Sequence, residues 1–379
     1  MSPAGPTVGY CTNVHPAEDL PGLLAQLGES AGPIRERLGV RELDVGLWLP
    51  AGVAAELATD STARARLKQT LTANGLTVRT LNAFPHGEFH ADVVKKAVYA
   101  PRWGDPARTT FTMHCAEVLA DLLPAGGVGS ISTLPLGWRE DWTATDDAAA
   151  ERELASMGAF LADLYARTSR RIRLAIEPEP GCVLDTIADV VAWLGPRTAA
   201  GVLDAAYIGV CLDTCHLAVS FADPATEIAS VRAAGLQIVK VQASAAPEVP
   251  DPSDPAQRAL IGRFVEPRYL HQTRELTADG SVLAVDDLDE ALADLPGAGP
   301  WRVHFHIPIH ADPEPPLRST RGVILECLAA LGEQAYDLEV ETYTWAVLPP
   351  ETAGVDLVTG ITGELRWLME ATLRAGGKD

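Results

Sequence analysis

The chain has 379 residues, 47% of them hydrophobic, which is enough to bury a large core. Its 51 acidic residues outnumber its 30 basic residues, and the formal net charge is −21. Such a surface repels phosphate backbones, so a general nucleic-acid-binding role is disfavoured. The amino-terminal sequence has no basic stretch before an apolar segment, and no apolar run reaches the length of a membrane span, so we expect neither a signal peptide nor membrane insertion. Six cysteines without paired CxxC spacing are typical of reduced thiols, which predicts a cytoplasmic protein.

Apolar, β-branched runs alternate with segments of helical period along the chain. The predicted strands are Thr7–Asn13, Glu42–Leu49, Thr77–Asn82, Val128–Thr133, Ile172–Glu177, Tyr207–Asp213, Gln237–Gln242 and Asp337–Glu341. Predicted helices include Ala54–Asn74, Ala148–Arg170, Thr186–Leu194, Ala225–Ala234 and Thr320–Leu331. Eight strands with intervening helices predict an α/β fold, a (β/α)8 TIM barrel that occupies residues 1–379 as a single domain. A doubly wound open sheet is the alternative, but no GxGxxG follows the first strand.

Two long insertions interrupt this alternation. Ala83–Pro106 is a loop rich in aromatic residues and histidine after the third strand, and residues 244–312 separate the seventh and eighth strands. The second insertion contains WRVHFHIPIH, which is predicted to form an extra strand. Because the loops that follow barrel strands build the active site, we expect both insertions to lie over the barrel mouth as walls or lids.

Three of the predicted strands end in side chains that commonly bind metals. Glu177 lies in RLAIEPEPG, Asp213 in GVCLDTCH and Glu341 in LEVETYTW. A single acid at such a place is as often a helix cap or the ion-pair partner of a surface arginine. Burying three unpaired carboxylates is costly, whereas one shared divalent cation accounts for all of them. The sequence therefore predicts a metal site at the carboxyl ends of the strands.

Histidines lie close to one of these strand ends and in the second insertion. His216 follows Asp213 by three residues, so its ring can reach the same site from the loop. In HFHIPIH, an extended backbone would place His304, His306 and His310 on one face, which favours a metal or anion site. An exposed polar edge of a small sheet is the alternative. His306, central in the segment, is the preferred ligand.

Four more polar side chains are expected at the rim of the barrel. Asn13 and His15 follow the first strand, and His86 and His90 flank a glycine turn in FPHGEFH after the third strand. Each of them is either a substrate contact or an ordinary loop residue. Other classes of site are absent from the sequence, which contains no GxSxG nucleophile elbow, no GxxxxGK[ST] phosphate loop and no HExxH.

At these residues the chain resembles the xylose isomerase-like superfamily of TIM barrels, which includes sugar isomerases, epimerases and apurinic endonucleases. The resemblance implies that Glu177, Asp213 and Glu341 bind a metal and that His216, in LDTCH, contacts the substrate. Where the family usually has a histidine on the seventh strand, this chain has Gln242 in KVQAS. Either Gln242 itself or His306 from the insertion is therefore expected to complete the metal shell.

A narrower resemblance covers the whole chain. The segments YCTNVHPAE, GLWLP, FPHGEFH, VKKAVYAPRW, GSISTLPLGW, EPEPGC, LDTCHLAVSF and YLHQT are similar to those of EboE-type metabolite traffic proteins. This resemblance implies a role in processing or exporting a secondary-metabolite precursor, alongside other proteins of the same pathway.

Together these observations predict a metal-dependent sugar isomerase or epimerase that acts on a small polyhydroxylated metabolite, with Mn²⁺, Zn²⁺ or Mg²⁺ as its cation. Glu177 and Glu341 are expected to exchange the substrate proton, while His216 orients a hydroxyl. The residues expected to contact substrate are Asn13, His15, His86, His90, His216 and His304. A non-catalytic metabolite carrier is the alternative. An apurinic endonuclease, with His86 or His90 as zinc ligands, is disfavoured by the net charge.

Overall fold

The computed structural model describes residues 7–332, 334, 336–350 and 354–375. Eight parallel strands alternate with helices and close into a barrel in which β8 and β2 flank β1. The barrel strands are β1 Val8–Cys11, β2 Leu43–Trp48, β3 Thr80–Asn82, β4 Val128–Thr133, β5 Arg171–Ile176, β6 Ile208–Asp213, β7 Ile238–Ala243 and β8 Asp337–Val340. The predicted TIM barrel is confirmed. A two-residue strand, Leu76–Thr77, pairs with β2 just before β3, so the third predicted strand is interrupted.

The helices connect the strands, and most of them begin at an aspartate or threonine that caps the first turn. The α-helices are Leu20–Gln26, Gly32–Leu38, Ala51–Thr59, Ser61–Ala73, Pro106–Leu122, Ala144–Thr168, Ile187–Ala199, Thr214–Val219, Pro224–Ala233, Pro255–Gly262, Leu288–Asp294, Gly322–Leu331 and Leu357–Ala375. The described ranges also contain three short 3₁₀ turns (Thr12–Val14, Lys95–Tyr99 and Tyr343–Val347) and a π turn (Leu27–Ala31). The single helix predicted over Ala54–Asn74 is two helices, because Asp60 adopts an extended conformation and its side chain caps the second one.

A buried ion pair lies inside the barrel. Lys240 Nζ lies 2.7 Å from Glu339 Oε1 and 3.1 Å from Ser132 Oγ. Gly46 makes room for this pair, since a Cβ there would lie 1.6 Å from Glu339 Oε2. The barrel interior therefore carries a paired positive and negative charge, and breaking such a pair by removing one partner is strongly destabilising.

The second insertion folds into a separate antiparallel sheet. Its five strands lie side by side in the order Val282–Val285, Thr273–Leu276, Trp301–Val303, Pro247–Val249 and Arg318–Ser319. The last strand lies beyond the predicted boundary at residue 312, because its polar sequence carries no strand-like hydrophobic alternation. In WRVHFHIPIH the regular strand is Trp301–Val303, which ends before the three histidines. Beyond it, Ile307 forms an isolated bridge to Ala245.

No helix within the described part of the chain combines the length and apolar character needed to cross a membrane.

Candidate metal centre

Three carboxylates meet at the carboxyl-terminal end of the barrel. Glu177 directly follows β5, Asp213 is the last residue of β6 and Glu341 directly follows β8. One oxygen of each lies within 4.8 Å of the other two, and all three side chains are buried. Burial, followed by repulsion from the neighbouring carboxylates, raises the pKa of Glu177 and of Glu341 well above its ordinary value. A divalent cation among the three oxygens would remove that repulsion.

The Asp213 carboxylate is held in one orientation by its hydrogen bonds. Its Oδ1 accepts from the backbone N–H groups of Cys215 and His216, at 2.8 and 2.9 Å, and from Ser244 Oγ at 2.7 Å. Its Oδ2 is buried and has no hydrogen-bond partner among the described residues. Because buried polar atoms are normally paired, the free oxygen is the expected position of a metal ligand.

Glu341 and Glu177 present oxygens in a similar way. Glu341 Oε1 accepts from Asn13 Nδ2 and from Asn82 Nδ2, each at 2.8 Å. Glu177 Oε2 is buried and receives no hydrogen bond from the described part of the chain. The two glutamates therefore approach the same point from β5 and β8, with Glu341 held in place by two amides.

His306 brings a nitrogen ligand to this cluster from the insertion. Its Nδ1 donates to the backbone carbonyl of Glu341 at 2.6 Å, so its Nε2 carries a lone pair. That Nε2 is buried and lacks a hydrogen-bond partner within the described ranges. Asp213, His216 and His306 each offer an atom within 4.8 Å of the other two. The donation from one ring nitrogen to a carbonyl is the arrangement that orients metal-binding imidazoles.

Gln242 lies on β7 and does not line the cavity. It is paired in register with Asp213 across β6 and β7, and its Oε1 accepts from the Cys211 thiol at 2.9 Å. Among the described residues, the Gln242 amide Nε2 has no hydrogen-bond partner. An amide nitrogen donates hydrogen bonds and is not a metal ligand.

A small cavity lies directly above these ligands. Its volume is about 50 Å³, and its floor includes Glu177, Glu341 and His306. The aromatic side chains of Phe89, from the first insertion, and Tyr269, from the second, form part of its walls. The cavity is partly open to solvent, so a small molecule can reach the carboxylate cluster from the mouth of the barrel.

The structure places the predicted site residues in two groups. Those that line the cavity are Asn13, Glu177, His216, His304, His306 and Glu341. Asp213 belongs with them, because one of its oxygens lies within 4.8 Å of an oxygen of Glu177 and of Glu341. The remaining predicted substrate contacts, His15, His86 and His90, lie outside its lining. His15 Nε2 is hydrogen-bonded to Tyr10 Oη at 3.1 Å, His90 Nε2 lies 2.7 Å from the backbone oxygen of Asn13, and His86 packs edge-on against Phe111.

Several residues of the site were not predicted from the sequence. Asn82 orients the Glu341 carboxylate and Ser244 orients the Asp213 carboxylate, each through a hydrogen bond. Glu179 lines the cavity and accepts from Tyr99 Oη at 2.5 Å, and Gln272 Nε2 donates to the same Tyr99 oxygen at 3.0 Å. Asn82 ends β3 just as the acids end their strands, so its position at a strand end was the available signal.

Comparison with known proteins agrees with this architecture. The family model described as a xylose isomerase-like TIM barrel matches residues 45–301, more than half of the chain. A search of curated proteins found no match.

Three solved structures share the fold at low sequence identity. D-allulose 3-epimerase from Methylomonas sp., in complex with D-allulose, is 13% identical, with 97% of each chain covered and a TM-score of 0.51. A candidate sugar phosphate isomerase/epimerase from Anabaena variabilis is 12% identical, with 98% of this chain and 99% of that chain covered and a TM-score of 0.54. An IolI protein with a bound zinc atom is 13% identical, with 97% of this chain and 99% of that chain covered and a TM-score of 0.50. At this identity the likeness shows the fold alone. With the family model matched over most of the barrel, the chain belongs to the xylose isomerase-like TIM barrel family.

Proposed function

We propose that this protein is a metal-dependent isomerase or epimerase that acts on a small polyhydroxylated metabolite. The observation that supports this most directly is the convergence of Glu177, Asp213 and Glu341 beside a cavity, where one oxygen of each of the first two has no hydrogen-bond partner among the described residues. His306 adds a neutral imidazole nitrogen beside Asp213. Carboxylate oxygens with one imidazole suit Mn²⁺, Zn²⁺ or Mg²⁺.

We take His306 as the fourth ligand in preference to Gln242. The His306 Nε2 lone pair has no partner in the part of the chain that the structure describes, whereas the Gln242 carbonyl oxygen already accepts from Cys211. Such a cation, when bound, polarises a substrate carbonyl and the neighbouring hydroxyl.

The protein's own side chains would then move the proton. Glu177 and Glu341 face the cavity from β5 and β8, so one can remove a proton from carbon while the other returns it. His216 and His304 line the cavity and are placed to contact substrate hydroxyls.

The narrower proposal concerns the pathway. On the resemblance to EboE-type metabolite traffic proteins, we propose that the substrate is a precursor of a secondary metabolite and that other proteins of that pathway supply or accept it. All six cysteines are free and buried, which supports a cytoplasmic location for this step.

The test measures metal content and proton exchange on the same samples. Purified protein is analysed for divalent metal, loaded with Mn²⁺ and incubated with D-allulose and other unphosphorylated ketoses in D₂O, and deuterium incorporation at carbon is followed by NMR. We expect a stoichiometric divalent ion and exchange beside a substrate carbonyl. Glu341→Gln should remove the exchange and leave the circular dichroism unchanged, whereas Glu56→Gln, on an exposed helix surface, should behave as wild type.

Undiminished exchange and metal content in Glu341→Gln would refute the proposal. A non-catalytic carrier is the second candidate, and Gln242 in place of the usual histidine favours it. Protein that carries no divalent ion after metal-supplemented expression, and yet binds a metabolite, would establish the carrier. The endonuclease alternative is weakened by the structure, since His86 and His90 belong to none of the metal-capable groups found in the described residues.

A further inference from the structure

A fourth carboxylate lines the cavity without belonging to the metal centre. Glu179 lies two residues after Glu177, in the loop that follows β5, and its side chain is buried. It belongs to none of the metal-capable groups found in the described residues. A buried charge is costly unless it is paired, so this carboxylate requires a positive or hydrogen-bonding partner other than the proposed cation.

A chain of hydrogen bonds fixes which oxygen of Glu179 is available to a ligand. Gln272 Nε2 donates to the backbone oxygen of Pro180 at 2.8 Å and to Tyr99 Oη at 3.0 Å. Tyr99 in turn donates its hydrogen to Glu179 Oε1 at 2.5 Å. Every donor in this chain points toward the carboxylate, which is thereby held as an acceptor. Glu179 Oε2 receives no hydrogen bond from the described residues, so it is the oxygen left for a ligand in the cavity.

Aromatic rings form much of the wall around this carboxylate. Phe89, Tyr269 and Tyr343 contact one another, with ring centroids between 5.0 and 5.4 Å apart. Tyr99 packs edge-on against Phe84 at a centroid distance of 6.0 Å. All five rings line the cavity. The faces of aromatic rings carry negative charge density and attract ammonium groups, so this wall and the carboxylate favour the same kind of ligand.

The cavity has little to offer an anionic group. Among the described residues of its lining, Lys95 is the only lysine or arginine, and its charge is already paired with Asp287. Phosphate and carboxylate groups are usually bound by a free guanidinium or ammonium. We propose that the substrate is a polyhydroxylated molecule that carries a protonated amine, and that Glu179 Oε2 binds this amine against the aromatic wall. The inference deepens the proposed function and rests on it for the reaction.

The test compares pairs of sugars that differ in one group. The pairs are D-glucosamine with D-glucose, D-galactosamine with D-galactose and D-fructosamine with D-fructose, so that an ammonium replaces one hydroxyl in each. Dissociation constants are measured by calorimetric titration into Mn²⁺-loaded protein at neutral pH. The ion pair and the contact with the aromatic faces are available to the ammonium alone. The wild type should therefore bind at least one amine about tenfold more tightly than its parent sugar.

Two variants show whether Glu179 is the cause of this preference. Glu179→Gln keeps the size of the side chain and removes its charge, so the amine and its parent sugar should bind equally. Its manganese content should match the wild type, and the exposed control Glu56→Gln should keep the tenfold preference. Tyr343→Leu, a change remote from the hydrogen-bonded chain, removes one ring of the wall. It should reduce the preference by about two- to fivefold, which tests the site even if Glu179→Gln does not fold.

The outcomes separate this inference from the proposed function. Equal affinities within every pair in the wild type, or no binding of any amine, would overturn the amine site and assign Glu179 to a neutral hydroxyl. A preference that persists in folded Glu179→Gln would also overturn it. None of these results alters metal content or proton exchange in the wild type, which decide the proposed function. An amine preference in a protein that holds no metal and exchanges no proton would overturn the proposed function alone.

Discussion

Asn82 offers a sharp test of how the carboxylates are oriented. Glu341 Oε1 accepts two hydrogen bonds of 2.8 Å, one from Asn13 and one from Asn82, and Asn82→Ala removes the second. A hydrogen bond to a charged group contributes about 1.5–3 kcal/mol. Loss of an outer partner of a metal ligand lowers metal affinity by about 10–100-fold. That fold-change equals about 1.4–2.8 kcal/mol, so the two magnitudes agree.

The assay is a calorimetric titration of Mn²⁺ into metal-free protein. The quantity compared is the Mn²⁺ dissociation constant of the site that is lost in Glu341→Gln. In Asn82→Ala this dissociation constant should rise by about 10–100-fold. Asn82 Oδ1 also accepts from the backbone N–H of Phe84 at 2.9 Å, so thermal melts of the metal-free proteins must accompany the titration. Asn74→Ala, which removes an amide at a distant helix end, is the matched control. An unchanged dissociation constant in a folded Asn82→Ala protein would refute the orienting role.

Three further predictions concern stability and access. Burial raises the pKa of Asp337 from 3.8 to about 6, so the free energy of unfolding of the wild type falls as pH rises through this range. Asp337→Asn should therefore have a free energy of unfolding in urea that exceeds the wild-type value by up to about 3 kcal/mol at about pH 8 and by nothing at about pH 3. Equal gains at both pH values would contradict this reasoning. Chelation with EDTA should lower the Tm measured by scanning fluorimetry. The reason is that a cation present at a hundred times its Kd stabilises the folded state by about 2.7 kcal/mol. An unchanged Tm would count against a bound metal. Lys95 forms an ion pair with Asp287 that joins the two insertions. The Val94 N–H donates to the Arg268 backbone oxygen at 2.7 Å, across the same two insertions. A partly exposed pair contributes up to about 1 kcal/mol, so Lys95→Ala should speed hydrogen exchange at the Val94 amide by up to about fivefold. No change would show that the ion pair does not hold the two insertions together.

The fold was predictable because apolar, β-branched segments alternate with segments of helical period along the chain. Each barrel strand lies at a predicted segment, although β5 and β8 end one residue before Glu177 and Glu341. The division of the helix at Asp60 depends on a side-chain cap, which a hydrophobic period does not reveal.

The site was less predictable where it depends on contacts between distant segments. Asp213 and the two glutamates carried a signal because acids seldom end buried strands. Ser244 orients Asp213 through a hydroxyl, a group too common in loops to stand out. His310 was expected on the same face as the other two insertion histidines, but it packs against Gly363 of the carboxyl-terminal helix. Pro308 lies between His306 and His310, and its fixed φ does not favour a continuous regular strand.

The contacts of His306 set which side of the mouth can move. Its ring donates to the Glu341 backbone, and its own carbonyl accepts from the Thr344 hydroxyl, so this part of the insertion is fastened to the segment that carries Glu341. Swinging the insertion outward as a rigid body would dismantle the centre that it covers. Any widening of the mouth is therefore left to the loop 83–106, whose Phe89 packs against Tyr269 of the insertion. For the same reason, residues 244–312 cannot be trimmed to give a smaller working barrel.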